Sequence, residues 1–538
     1  MIRKLAPSLI FGVMTLALFG GVVLGRHTLI ATDFLQSSPV WRSGPYPVAN
    51  PWLCDTIEYY YPCEKIYSEH VKRGELPLVN PYIFNGAPVP HGVHIWNSVW
   101  PVKLVFLLLF DPVRSYDLFA LFHWWLAGVG MYYLLVSLGR APIGASIAAV
   151  AYMFSGRAML WLHGHYLIAT MAYVPLVFLA AKRRSLLGVI PAAGLFFTNP
   201  QLGLAACVAA IVWERWSWRF VVPAVLIAAV ALVPLAVTVT QGVRDPRAEA
   251  GWFYRDGFRS WTWLAGLVAP GWVKGSMPPN EYDVYIGLIP LAGALLAARR
   301  ERFFAAMAAI AVAVATLYPL PVWLSSFSFS LPTRYLYFFT FGACICFARA
   351  LELRPLKPWM EAAILLLLVA DLVPRFVRWN PGFDPAILHE RPPAAAAMKG
   401  RVGVHLPEGE RPFFPPLSIL GVESIQGYDA MVPRVQAEAV RGAGEVAGQR
   451  LIRLTDPESP VLDGLGMEYL ITDPAYVSKR YRLVYEGTVR VYRNPHAAPV
   501  PVRPISKTPL WIGLGITLVG CGWAVSAGLL DRRPKPAL

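Results

Sequence analysis

The apolar residues of this chain come in long blocks of Leu, Ala, Val and Phe, broken by short basic clusters. The first block runs from Leu5 to Gly25. Others lie near 116–138, 142–160, 166–181, 185–198, 200–213, 219–240, 284–298, 303–320, 332–350, 358–373 and 509–530. A helix of about 20 apolar residues matches the hydrocarbon thickness of a bilayer. The pattern therefore predicts a polytopic α-helical membrane protein of about 12 transmembrane helices. The first block follows Arg3 and Lys4 and lacks a small-x-small cleavage site, so it reads as an uncleaved first span.

The basic clusters set the orientation. Arg3 and Lys4 place the N-terminus in the cytoplasm. The apolar run 97–110 is short and meets Asp111-Pro112. Counted as a span, it would put Arg140, Lys182-Arg183-Arg184 and Arg299-Arg300-Glu301-Arg302 all outside. Laid flat on the outer surface, it puts all three inside, as the positive-inside rule requires. The run is therefore expected to be interfacial, with both chain termini cytoplasmic. Two long polar stretches then lie outside, at about 26–115 and 374–507. In the second, Tyr481 to Tyr485 and Val489 to Tyr492 alternate polar and apolar positions, which is strand patterning. The expected organisation is a transmembrane domain over 1–373, an external α+β domain over 374–507, and a last helix with a basic tail over 508–538.

Composition agrees. Of 538 residues, 56% are hydrophobic and 15% charged, against about 25% charged in soluble proteins. A soluble enzyme and a disordered chain are excluded. The net charge of +15 comes from Lys and Arg at the ends of apolar blocks, so it marks topology rather than nucleic-acid binding. Cys207, Cys344, Cys346 and Cys521 lie in apolar blocks and read as small core residues. On one straight helix Cys54 and Cys63 would stand roughly 13 Å apart, too far for a disulfide unless Pro62 breaks the helix.

The densest polar information is in the first loop: Asn50-Pro51-Trp52-Leu53-Cys54-Asp55-Thr56-Ile57-Glu58-Tyr59-Tyr60-Tyr61-Pro62, then Gly74 to Pro88. Asp55 and Glu58, three apart, share a helix face. A carboxylate among aromatics at a membrane surface suits a general base. The plainer reading is that Asp55 caps a helix, and composition alone favours it.

Several motifs shift that balance. Asp55, Tyr60-Tyr61-Pro62, Gly74 to Tyr82 and Phe84-Asn85-Gly86-Ala87-Pro88 occur in one order. Ala151 to Gly156 with His165, Asn199-Pro200-Gln201, Ser424 to Asp429 and Leu465 to Ile471 continue it. This series resembles the YfhO-type bacterial membrane proteins, of the GT-C class of membrane glycosyltransferases. Val79 stands where that family usually has Trp, Tyr59 where Gln is frequent, and Asn199 where it has His.

The resemblance implies a GT-C-like transmembrane domain in the bacterial cytoplasmic membrane. It implies sugar transfer, with inversion, from a polyprenyl-phosphate donor to a cell-envelope glycan, lipid or protein acceptor at the outer face. Asp55 would be the base, with Glu58 and Asp33 as further carboxylate candidates. Tyr59, Asn80 and Tyr82 of the same loop join the expected substrate-binding residues.

A departing lipid phosphate needs cations. Arg157, Arg255, Arg259 and Arg334 lie at predicted outer ends or loops, against the positive-inside trend, and Arg suits phosphate through its planar donor fork. Each could instead snorkel to lipid headgroups. Arg334, at a span entrance, is the first choice, and it sits where the family often has Arg. His163 and His165 join the binding candidates, but without a third ligand they do not predict a metal site. Some GT-C enzymes use a divalent metal, and nothing in the sequence demands one.

Trp252, Trp261, Trp263 and Trp272 read as an interfacial belt. Walker A, Rossmann and Gly-x-Ser-x-Gly signatures are absent. The alternative to a transferase is a lipid-linked-saccharide transporter or a non-catalytic scaffold. The lack of an internal repeat and the gathering of polar residues at one face favour the transferase.

Overall fold

The computed structural model describes residues 2–41, 46–88, 99–243, 245, 261–270, 283–317, 332–353, 356–406, 417–429, 432–447, 450–500 and 506–530. Most of the described chain up to Trp379 is helical, and strands gather between Val402 and Arg493.

Each apolar block falls wholly or largely on helix, but the helices are shorter than twelve spans require. Pro112–Ser137, His165–Arg183 and Thr508–Ser526 are each long and apolar enough to cross a membrane, and a pair bent by 62°, Arg215–Ile227 with Ala229–Gln241, passes as one unit. Six further apolar helices, such as Pro142–Met153, Pro200–Trp213 and Leu288–Ala297, have only 10–17 residues. Ten residues of helix reach only about 15 Å, half the hydrocarbon thickness. The cause is visible in sequence: Pro142 and Pro200 start helices, and polar residues such as Asn199 end them, so the apolar blocks are cut. The count of twelve therefore does not follow from the described helices.

The bent pair needs an outside partner, because a break in a helix frees backbone groups that an apolar medium cannot satisfy. Thr517, on the Thr508–Leu530 helix, supplies it. Its hydroxyl donates to the Ile227 carbonyl at 3.0 Å and accepts from Val230 N–H at 3.0 Å. Gly513 and Gly520 let the two backbones approach: a Cβ on Gly520 would stand 2.6 Å from the Leu226 Cβ.

Pro101–Leu109 is a nine-residue helix, too short to cross, with Lys103 and Leu107 buried and Val105, Leu108 and Leu109 exposed. That is the two-faced character expected of a surface helix. Asp111 then caps the long Pro112–Ser137 helix by accepting from Val113 N–H and Arg114 N–H. At one end of the bundle, Arg140 pairs with both Glu301 and Glu352, joining three loops.

Among the described residues the strands form three sheets. Val79–Asn80 (β1) and Ala87–Pro88 (β2) make a short antiparallel pair, and Gly444–Ala447 (β4) pairs with Leu451–Leu454 (β5). The largest sheet has four strands: Val402–His405 (β3), Tyr469–Thr472 (β6), Arg490–Arg493 (β8) and Arg482–Glu486 (β7), in that order. β3 and β6 run parallel and the rest antiparallel. β7 and β8 coincide with the two alternating stretches of the sequence.

The sheet region has its own core, built from Ile425, Val432, Ile452, Leu470 and Tyr492, and residues from the first loop complete it: Phe84 and Ala87 are buried there. The loop turns sharply at Phe84, Asn85 and Gly86, all at positive φ. Phe84 N–H donates to Gln426 C=O and Asn85 N–H to Ser424 C=O, both at 3.0 Å.

Candidate active site

The site is built on the turn that opens the first loop's main helix. Asn50 starts it, its side chain accepting from Trp52 N–H and donating to the Trp379 carbonyl. Thr56 fastens it: the hydroxyl donates to Leu53 C=O at 2.7 Å and accepts from Ala31 N–H at 3.0 Å. Residues Thr56–Tyr60 then form a π-helical turn, with Tyr61 N–H reaching back to Thr56 C=O. Pro62 explains the wider turn, because its ring lacks an N–H and crowds the carbonyl four residues back. Such turns are rare and recur at functional sites.

Asp55 precedes this turn but does not cap it with its side chain. The cap reading, favoured by composition, gives way to another contact. Oδ1 of Asp55 accepts from the Tyr428 hydroxyl at 3.2 Å, across 373 residues of sequence. Asp55 and Glu58 do share a face, and with Cys54 their ligand atoms all lie within 4.8 Å of one another. Two carboxylates suit a hard divalent cation and a thiol a softer one, so this group could hold such an ion. Cys54 and Cys63 are not joined in a disulfide.

Aromatic side chains wall the turn. The Tyr59 ring meets Tyr428 edge-on at 6.3 Å, and the Tyr60 hydroxyl lies 3.3 Å from that of Tyr166. Burial holds the Tyr60 hydroxyl well above its ordinary pKa. Tyr166 and the Asp55 charge push it further, and Arg334 opposes them. Asp55 and Arg334 therefore act on one hydroxyl from opposite signs.

Arg334 lies with its guanidinium 5.3 Å from the Trp161 ring centre. Arg157, fully buried, donates to the Thr333 carbonyl at 3.0 Å and so braces the segment that carries Arg334. The two arginines are thus neighbours, with Arg157 the deeper. Arg255 and Arg259 lie outside the described residues, as do Trp252 and Trp272.

The other expected site residues make the following contacts. Asp33 is buried and accepts from Ala49 N–H at 2.7 Å, holding the loop. Asn80 is buried in β1 and caps the turn at Tyr82 N–H, so these two belong to the junction between loop and sheet region. His163 donates from Nδ1 to the Leu29 carbonyl, and burial pushes it down to about 4. His165 lies beside the Tyr60 and Tyr116 rings. Neither histidine belongs to the candidate cation group.

Two groups escaped the sequence. Tyr428 lies within a motif noted there, but its partner is 373 positions away. Glu64 and Lys103 form a 2.6 Å ion pair with side chains 2% and 0% exposed. Ser115 donates to the same Glu64 oxygen, and His165 Nε2 stands 4.0 Å from the other. A lysine in a short apolar helix was the available signal.

No family model and no curated protein matches the chain, so the YfhO-type resemblance rests on the motifs quoted above. Among solved structures, the chain is similar to the arabinofuranosyltransferase AftD from Mycobacteria, with 16% identity and a TM-score of 0.49, over 92% of this chain. It spans 40% of that protein's length. It is also similar to the archaeal oligosaccharyltransferase AglB from Archaeoglobus fulgidus, solved with an inhibitory peptide and a dolichol-phosphate. There the identity is 11% and the TM-score 0.43, over 88% of this chain and 70% of the other.

Proposed function

We propose that the protein is a membrane glycosyltransferase. It moves a sugar from a polyprenyl-phosphate donor to an acceptor hydroxyl at the outer face of the cytoplasmic membrane. The observation that carries the reading is the turn at Asp55, where the Asp55 and Glu58 carboxylates have ligand atoms within 4.8 Å and Asp55 accepts from the Tyr428 hydroxyl at 3.2 Å. A carboxylate held among aromatic rings can activate an acceptor hydroxyl, and a cation such as Arg334 can stabilise a leaving phosphate.

In this reading Asp55 takes the acceptor proton as the acceptor oxygen bonds to the anomeric carbon. The carbon–phosphate-oxygen bond breaks, its electron pair stays on the lipid phosphate, and inversion results. Arg334 faces that growing negative charge and Arg157 holds its segment in place. Were a divalent cation used instead, Cys54, Asp55 and Glu58 would hold it and it would supply neutralisation of phosphate, with Asp55 a ligand rather than the base.

The test is transfer of labelled sugar from cell-derived polyprenyl-phosphate donors, comparing wild type with Asp55→Asn at matched expression. Wild type is expected to form product and Asp55→Asn to lose it. Equal activity removes Asp55 as base. No glycan change on deletion or overexpression of the gene hands the reading to a transporter or scaffold. A carboxylate lone pair cannot bind a cation and take a proton together. Activity lost in EDTA and restored by Mn²⁺ would therefore recast Asp55 as a ligand.

A further inference from the structure

We propose that Tyr428, from the sheet region, is a positioning residue for Asp55, fixing the carboxylate so that the site is complete only with that region docked; this rests on the transferase reading. The terminal torsion of an aspartate is broad, so an unbraced carboxylate samples many orientations. The Tyr428 hydroxyl donates to Asp55 Oδ1 at 3.2 Å, which fixes one oxygen and thereby aims the other.

Tyr428 is itself held at its hydroxyl, its ring and its backbone. Arg450 Nη1 donates to it at 3.4 Å. An oxygen that accepts from a guanidinium has its own proton directed away from that cation, here toward Asp55. Tyr428 forms a β-bridge with Leu451, and Asp429 N–H donates to Arg450 C=O at 3.0 Å, so the backbone on both sides is pinned. The Tyr59 ring packs edge-on against the Tyr428 ring.

The phenol also links two distant parts of the chain. The same loop that carries Tyr428 is joined to the first loop at Phe84 and Asn85, whose N–H groups donate to Gln426 and Ser424. A Cβ on Gly427 would stand 2.5 Å from the Ile83 Cβ, so the approach just before Tyr428 is as close as glycine allows. Docking of Ile83 to Asn85 therefore sets where Tyr428 reaches Asp55.

The experiment compares Tyr428→Phe and Tyr428→Leu in the full chain, assayed for transfer of labelled sugar in membranes. Phe keeps the ring against Tyr59 and removes only the hydroxyl. A hydrogen bond to a charged partner corresponds to roughly a ten- to hundredfold effect. We expect Tyr428→Phe to lower kcat by that factor with KM within about twofold, and Tyr428→Leu to lose at least as much. Wild-type kcat in Tyr428→Phe, with a loss only in Tyr428→Leu, would show a packing role and overturn the inference. A raised KM at unchanged kcat would overturn it too, by making Tyr428 a substrate contact. A wild type that transfers nothing sinks the transferase reading itself, whereas a fully active Tyr428→Phe sinks only the positioning role.

Discussion

Lys103→Met isolates the energetics of the buried pair beneath the surface helix. Met keeps most of the lysine stem's volume and its packing on Phe119, whose ring centre lies 4.4 Å from Nζ. It removes the cation 2.6 Å from Glu64, leaving the Ser115 hydroxyl as a donor to the same oxygen. The stranded carboxylate then sits in a low-dielectric site without its cation, and removing one partner of a buried pair costs about 3–5 kcal/mol. Lys103→Met should therefore lose about 3–5 kcal/mol relative to wild type. Adding Glu64→Gln removes the stranded charge, so the double variant should recover most of the loss. The assay is reversible unfolding in mixed detergent micelles, followed by tryptophan fluorescence for wild type, Lys103→Met, Glu64→Gln and the double variant. A Lys103→Met protein as stable as wild type, or a double variant no more stable than Lys103→Met, would refute the reasoning.

The remaining predictions concern one acid-sensitive group and one helix break. His163 is pushed down to about 4 by burial, against an ordinary value of about 6.5, so between those values the unfolded chain binds the extra proton. Stability should fall by about 3 kcal/mol as pH drops from 6.5 toward 4, and His163→Gln should flatten that limb of the unfolding curve. Thr517→Val removes the hydroxyl that serves Ile227 C=O and Val230 N–H at the bend. It should cost about 1–3 kcal/mol in the same unfolding assay, while Thr517→Ser stays near wild type.

What could be read from the sequence follows the range of the interactions involved. The apolar blocks, the short helix at 101–109 and the β7–β8 strands are local patterns, and helix or strand periodicity reports them directly. The Asp55–Glu58 pairing on one face is likewise local. Helix length is less legible than helix position, because prolines and asparagine cut apolar stretches that a block average runs through, as at Asn199-Pro200. The segment that follows Asn80 and Tyr82 carries Phe84 into the sheet core. Nothing local distinguishes a motif that binds a ligand from one that binds another part of the chain. Tyr428 and Lys103 were missed for the same reason, since each acquires its meaning from a partner on another element.

The Asp55–Tyr428 contact also constrains how the protein can be made. At about 5–20 residues per second, the 373 residues between them take roughly 20–75 seconds to synthesise. Throughout that interval Phe84 has no core to enter, because Ile425, Ile452 and Leu470 do not yet exist. The early loop must wait, apolar and incompletely packed, beside a growing membrane bundle. Its final folding comes late in synthesis, even though it is among the first segments made. A nascent chain released before the sheet region emerges would carry the Asp55 turn in an unfinished state, with Phe84 lacking its core.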